Sequence, residues 1–427
     1  MTSVPTRILL RHARELLTMD GAALDPKRPH DTAPLAMILD GAVLIEHGVI
    51  ADVGTTASLC ARTRIDADTL VVDVGDRVIA PGLIDSHTHS LFVGHRADEF
   101  VARIEGASYA EIAAKGGGIA RSVRELRQAK DSELDGSLHA RLRRMVRYGV
   151  TTVECKSGYG LDTESELRSL AAMERAEASS GLTVLRTFLP LHAVDPSLRT
   201  LPEGRARFLK RTLEETVVTV LREARPHFVD AYIDGPGFSV EETRPLLEAA
   251  RNAGTAVRLH VGQFADVGGA ELAAEFAAAS ADHLEFISDS GMAAMAHAGV
   301  VATLLPGAAF SLGQTMPDGR RMRDAGLSVA VATDCNPGTS YLENLPLAAA
   351  FAVRSCGLST VEAWCAITRV AAHSLRLNTG KIAVGSPASL CVLDIPTWTA
   401  LPYAIGSVQA DWVYHRGRVL HDRMRES

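Results

Sequence analysis

The chain has 427 residues, 47% hydrophobic and 22% charged, with a formal net charge of −7. That length and apolar content allow a large buried core and more than one average domain. Both signs of charge are interspersed and no basic block stands out, which argues against a nucleic-acid surface.

In residues 1–19 the apolar positions are interrupted by Arg7, Arg11, Arg14 and Glu15, so no signal-peptide core is expected. The six cysteines are scattered without a CxxC pair, a pattern that suits a reduced cytoplasm. Residues 1–76 hold short β-like runs, such as Leu35-Ala36-Met37-Ile38-Leu39 and Ala42-Val43-Leu44-Ile45, broken by Gly, Asp and Pro. The tail, residues 378–427, has the same character in Leu390-Cys391-Val392-Leu393 and Trp412-Val413-Tyr414. Both termini are therefore expected to form one small β domain, a β-sandwich interrupted by residues 77–377.

The middle alternates differently. Apolar strand candidates recur at 83–86, 151–155, 183–189, 227–233, 256–260, 281–286, 300–305 and 328–333. Helical spacing fills much of the space between them, for example over 164–179, 241–252 and 269–279. Eight strand–helix units predict an α/β fold, a TIM-type (β/α)₈ barrel whose functional groups gather at the C-terminal strand ends. Residues 290–317 carry no Asp, Glu, Lys or Arg and are long enough to span a bilayer. They are rich in Ala and Gly, contain His297, and are broken by Pro306-Gly307, so a buried helix followed by a buried strand is expected instead.

The chemistry collects at strand exits. The run Val78-Ile79-Ala80 leads through Pro81-Gly82 into Leu83-Ile84 as one short buried strand, after which His87 and His89 face the same way. His260 closes the fifth strand, His283 the sixth, and Asp334 the eighth. Each has an ordinary reading alone: a structural histidine, or an aspartate that caps the next helix. Together they aim several imidazoles and a carboxylate into one mouth. Three histidines plus a carboxylate suit one divalent ion with a position left for water. Such an ion makes hydroxide available and polarises a carbonyl, and a neighbouring carboxylate can move the proton. That is the chemistry of C–N bond hydrolysis in an amide or cyclic amide.

Pro81-Gly82-Leu83-Ile84-Asp85-Ser86-His87-Thr88-His89 resembles the opening metal motif of the amidohydrolase superfamily. The segments Gly94-His95-Arg96, Gly106-Ala107-Ser108-Tyr109, Gly116-Gly117-Gly118-Ile119, Glu154-Cys155-Lys156-Ser157-Gly158-Tyr159-Gly160, Ala281-Asp282-His283-Leu284-Glu285 and Thr333-Asp334-Cys335-Asn336-Pro337-Gly338-Thr339 resemble the imidazolonepropionase family over nearly the whole chain. The resemblance implies hydrolysis of the ring amide of 4-imidazolone-5-propanoate to N-formimidoyl-L-glutamate, a step of histidine degradation, with one zinc or iron ion per chain. It implies His87, His89, His260 and Asp334 as metal ligands, and Asp334, His283 and Gln263 as catalytic groups. Substrate would be held by Arg96, Tyr109, Tyr159, His192, Gln263, Asn336, Gly338 and Thr339. Arg96 would take the propionate carboxylate, and the glycine-flanked Tyr159 would ride on a flexible binding loop. Homodimers are common in this family, and the partner expected is a small molecule, with no nucleic acid and no membrane. The sequence departs from the family pattern at Val261-Gly262, at Pro190-Leu191 and at Ala388-Ser389. The first two motivate an alternative, a related amidohydrolase for another five-membered cyclic amide or ureide.

Overall fold

A computed structural model describes residues 6–21, 23–25, 27–107, 111–112 and 115–423. Its strands form two eight-stranded sheets. The first takes β1 (Arg7–Leu17), β2 (Met37–Glu46), β3 (Val49–Thr55), β4 (Thr69–Asp73) and β5 (Val78–Pro81) from one end of the chain. The other end supplies β14 (Leu390–Leu393), β15 (Ala410–His415) and β16 (Arg418–Asp422). Its order is β16-β15-β14-β5-β1-β2-β3, with β4 also on β1. Alternate residues of a strand share a face. Ile8, Leu10 and Leu16 of β1 therefore meet Val43, Ile79, Val392 and Tyr414 in one core. The sheet curls far enough for Ile50 N to donate to Ser386 O, and Gly385 N to Ile50 O, joining the β3 end to the approach to β14. The expected sandwich is thus one continuous sheet folded over its own core.

The second sheet is the barrel: β6 (Leu83–Thr88), β7 (Val150–Lys156), β8 (Thr183–Leu191), β9 (Phe228–Ile233), β10 (Ala256–Val261), β11 (Ser280–His283), β12 (Val301–Leu304) and β13 (Val329–Val331). The strands run in sequence order and every ladder is parallel. Helices between them carry their own start signals. Asp162 caps helix Thr163–Ser180, and Ser239 with Glu242 forms a capping box on Val240–Asn252. Closure between β13 and β6 combines a side chain with one backbone bridge, Thr88 to Cys335. Asp85 accepts from Thr333 N at 3.0 Å and Thr333 Oγ1 at 2.6 Å. Just beyond, Asp334 N donates to His87 O and His89 N to Cys335 O, each at 3.0 Å.

Two expectations change in detail. The run 78–84 is two strands: β5 pairs with β14 in the small sheet, and β6 with β7 in the barrel. Gly82 makes the crossing, where a Cβ would lie 2.2 Å from Thr151 Oγ1. The sixth barrel strand stops at His283 instead of residue 286, because His283 and Leu284 take φ of 83° and 70°. The uncharged stretch 290–317 holds all but the first residue of helix Asp289–Ala298, then β12, then helix Pro306–Leu312. Among the described residues no helix is long and apolar enough to cross a membrane.

Candidate metal centre and substrate cavity

The imidazoles of His87, His89 and His260 each offer a nitrogen within 4.8 Å of the others, all three buried. Asp334 Oδ1 lies 3.5 Å from His87 Nε2 and 3.6 Å from His89 Nε2. His87 Nδ1 faces Asp282 Oδ2 at 2.7 Å, and His260 Nδ1 lies 3.0 Å from Asp230 Oδ2. The Asp282 hydrogen bond holds a proton on His87 Nδ1, and the Asp230 charge beside His260 Nδ1 favours a proton there, so the lone pairs sit on Nε2. His87 Nε2 then has no hydrogen-bond partner, and His260 Nε2 faces His89 Nε2 at 3.0 Å. Lone pairs and a carboxylate oxygen converging without enough protons to share fit a metal ion. Burial, followed by neighbouring positive charge, keeps His87 and His89 well below the ordinary histidine pKa, hence neutral and ready to bind metal.

Beneath the histidines the barrel interior is charged. Lys156 Nζ lies 2.7 Å from Glu154 and 2.9 Å from Asp230, and Arg258 Nη2 lies 3.1 Å from Asp282. All five side chains are fully buried. Burial opposes the charge on Asp230 and Asp282, but the cations and His260 outweigh it and hold both pKa values below the carboxylate norm. The residues that orient the candidate ligands are therefore themselves neutralised from below. Sequence reasoning missed this layer. Its signal was present: isolated charges such as Lys156 and Arg258 inside otherwise apolar strands require buried partners.

Above the histidines opens a cavity of about 460 Å³, lined by His89, Arg96, Tyr159, His192, His260, Gln263, His283, Asp334, Asn336, Gly338 and Thr339 among others. His192 stacks on His89 with centroids 5.0 Å apart, and its Nδ1 is 3.0 Å from Gly158 O. Burial holds His192 down to about 3, so it is neutral. Tyr159 lies 5.2 Å from His192. Its loop is not the flexible one expected. Buried Glu166 accepts from Gly158 N, Gly160 N and Leu161 N at 3.1, 2.9 and 2.8 Å and pins the backbone. His283 sits 5.5 Å from His260. Burial disfavours its charge, but the Glu285 carboxylate, 3.9 Å away, helps raise its pKa above the ordinary value. Asn336 spends its amide on its own turn: Nδ2 donates to Asp334 O, and Oδ1 accepts from Gly338 N and Thr339 N. Tyr109 lies outside the described residues.

An amidohydrolase family model matches residues 114–421. An imidazolonepropionase of Methylobacterium nodulans is 42% identical over 390 residues, covering 90% of this chain and 95% of its own. That of Myxococcus xanthus is 39% identical, covering 96% of each chain. The chain belongs to the imidazolonepropionase family. Solved structures sharing the fold at low identity include an adenosine deaminase of Xanthomonas campestris with bound zinc. Its TM-score is 0.72 at 17% identity, over 97% of this chain and 93% of that one. A triazine hydrolase variant gives 0.72 at 18%, over 97% and 95%. Two departures from the family pattern now have a physical setting. Gly262 adopts φ of 66°, a conformation glycine takes without strain. Leu191 is wholly buried in the core. Neither is among the residues lining the cavity.

Proposed function

We propose that this chain hydrolyses the ring amide of 4-imidazolone-5-propanoate to N-formimidoyl-L-glutamate, as its family name implies. The observation that carries the reading is one cavity lined both by His89, His260 and Asp334 and by Arg96. His87, His89, His260 and Asp334 would hold one zinc or iron ion. When bound, such an ion lowers the pKa of water towards neutrality and polarises a carbonyl. Asp334 takes the proton of the attacking water and passes it to the ring nitrogen as the C–N bond breaks. The water oxygen ends in the new carboxylate. His283, its proton favoured by Glu285, holds the carbonyl oxygen. Gln263, Tyr159 and His192 orient the ring, and Arg96 binds the propionate. Asn336, Gly338 and Thr339 contact the glutamate end of the product.

Nothing in the cavity favours the alternative of another cyclic amide or ureide, since the departures at Gly262 and Leu191 lie outside its lining. The test mixes metal-loaded protein with fresh 4-imidazolone-5-propanoate, follows loss of ring absorbance and identifies the product by mass. Rapid conversion, lost by about a thousandfold or more in His260→Ala, is expected for an activated-water hydrolase. No turnover by protein that still holds one metal per chain would overturn the reading. The same reading carries a homodimer, a cytoplasmic location, and a hydrolase unit at 77–377 beside a small domain of 1–76 and 378–427. Light scattering, cell fractionation and limited proteolysis check these in turn.

A further inference from the structure

Arg96 brings no net charge to the cavity. Its Nε and Nη2 each lie 2.8 Å from Glu99 Oε2. The Glu99 carboxylate is fixed further by Gly118 N, 3.1 Å from both oxygens. The side chains of this pair are only 13% and 9% exposed, so the two charges cancel locally. Arg103, on the same helix (Ala97–Ile104) one turn beyond Glu99, lines the same cavity. It donates from Nη2 to Gly338 O at 3.0 Å, and among the described residues no carboxylate pairs with it. Burial, then the adjacent Arg96 charge, lowers its pKa from the guanidinium norm, against a weaker opposing pull from the Glu99 carboxylate. Of the remaining cations on the lining, Arg205 is paired with Glu242 at 2.6 Å, and Arg199 is exposed to solvent and screened.

Gly338 ties the two guanidiniums together. A Cβ there would lie 2.5 Å from Arg96 Nη1, while the Gly338 carbonyl is held by Arg103. Arg96 thus offers geometry, a fork already oriented by Glu99. Arg103 offers a charge that, among the described residues, no carboxylate holds in an ion pair, beside the loop that carries Asn336 and Thr339.

We propose that Arg103 makes the cavity select an anionic side chain, supplying the net positive charge that Glu99 removes from Arg96. The ligand class is a short carboxylate carried on a five-membered ring. This inference rests on the functional reading above, and its test separates the two. Metal-loaded full-length protein is titrated calorimetrically with 3-(imidazol-4-yl)propanoate, an unreactive ring carboxylate, and with its neutral amide. Wild type is expected to prefer the anion, and Arg103→Met to reduce that preference by about tenfold or more, the worth of one charge-assisted contact. The amide affinity is expected to move less than about threefold in the same variant. Arg103→Lys, which keeps charge but not the fork, is expected to retain most of the preference. Should Arg103→Met fail to fold, Arg103→Gln reads the same ratio while still able to donate to Gly338 O.

An unchanged ratio in Arg103→Met or Arg103→Gln overturns the inference. So does equal loss of both probes, which marks a structural role, or a wild type with no preference. Turnover of imidazolonepropanoate by wild type is scored separately. Turnover with an unchanged ratio removes only the role of Arg103, whereas a collapsed ratio without wild-type turnover removes only the reaction.

Discussion

A histidine becomes a usable ligand when something else takes its second nitrogen. For His87 and His260 that partner is a buried aspartate, Asp282 and Asp230, itself neutralised by Arg258 or Lys156. Replacing Asp230 by Asn keeps the shape of the side chain but removes the charge facing His260 Nδ1. Metal retention, measured by chelator competition, is expected to weaken by about 10- to 100-fold. Unchanged retention would show that the carboxylate is not what orients the ring. His87 and His89 were legible because period-two alternation puts both on one face of a strand. The carboxylates behind the ligands were not, because Asp282 reaches His87 across 195 residues of sequence. Glu99 lies three residues beyond Arg96, which stands at the N-cap of the helix that carries Glu99, so the two side chains meet over that first turn. That pairing could have been read in advance, and with it the loss of net charge at Arg96.

At the scale of elements, the hydrophobic pattern found each barrel strand but not where two strands meet end to end. Val78 to Ile84 carries no polar side chain, and only Pro81-Gly82 betrays the handover from β5 to β6. Gly82→Ala forces a Cβ against Thr151, with Oγ1 at 2.2 Å and Cγ2 at 2.4 Å. Overpacking of this kind costs about 1–3 kcal/mol, which urea unfolding would register as a lower midpoint at unchanged slope. Adding Thr151→Ala is expected to recover part of the loss. If the single variant unfolds like wild type, the junction has room that these distances deny. Helix ends followed local chemistry where caps existed, as at Asp162 and Ser239. The alanine-rich segment after Gly269 was the exception. Helical spacing continues to residue 279, yet the helix ends at Glu275, and Ala277 turns left-handed with φ of 46°. Ala279 N is then free to donate to Val257 O at the start of the β11 pairing. Alanine suits either state, so tertiary pairing decided.

For the molecule as a whole, His415 on β15 links the small sheet to the barrel. Its Nε2 is 3.1 Å from Thr183 Oγ1 at the start of β8, and its Nδ1 is 2.9 Å from Ser389 Oγ. Burial, then the charge of Arg416, lowers it from 6.5 to about 4. The unfolded chain therefore takes up this proton between pH 6.5 and 4 while the native state does not. The stability it supports is complete above pH 6.5 and is lost as the pH falls towards 4. Over that window the loss amounts to roughly 2–3 kcal/mol at most. His415→Gln is expected to flatten this part of the stability profile, measured by denaturant unfolding at each pH. Identical slopes in the two proteins would sink the assignment.

Alternation of side chains, Gly and Pro punctuation and the strand-exit histidines are local properties, and they determined the barrel, the two-ended small domain and the candidate ligands. Tertiary structure decided the rest: that Asp85 on Thr333 and the Thr88–Cys335 bridge close the barrel, that the small domain is one sheet curled over its own core, and that Arg103 meets the Gly338 carbonyl at the cavity. Periodicity records which face a residue takes, whereas the balance of buried charge depends on which faces the fold brings together.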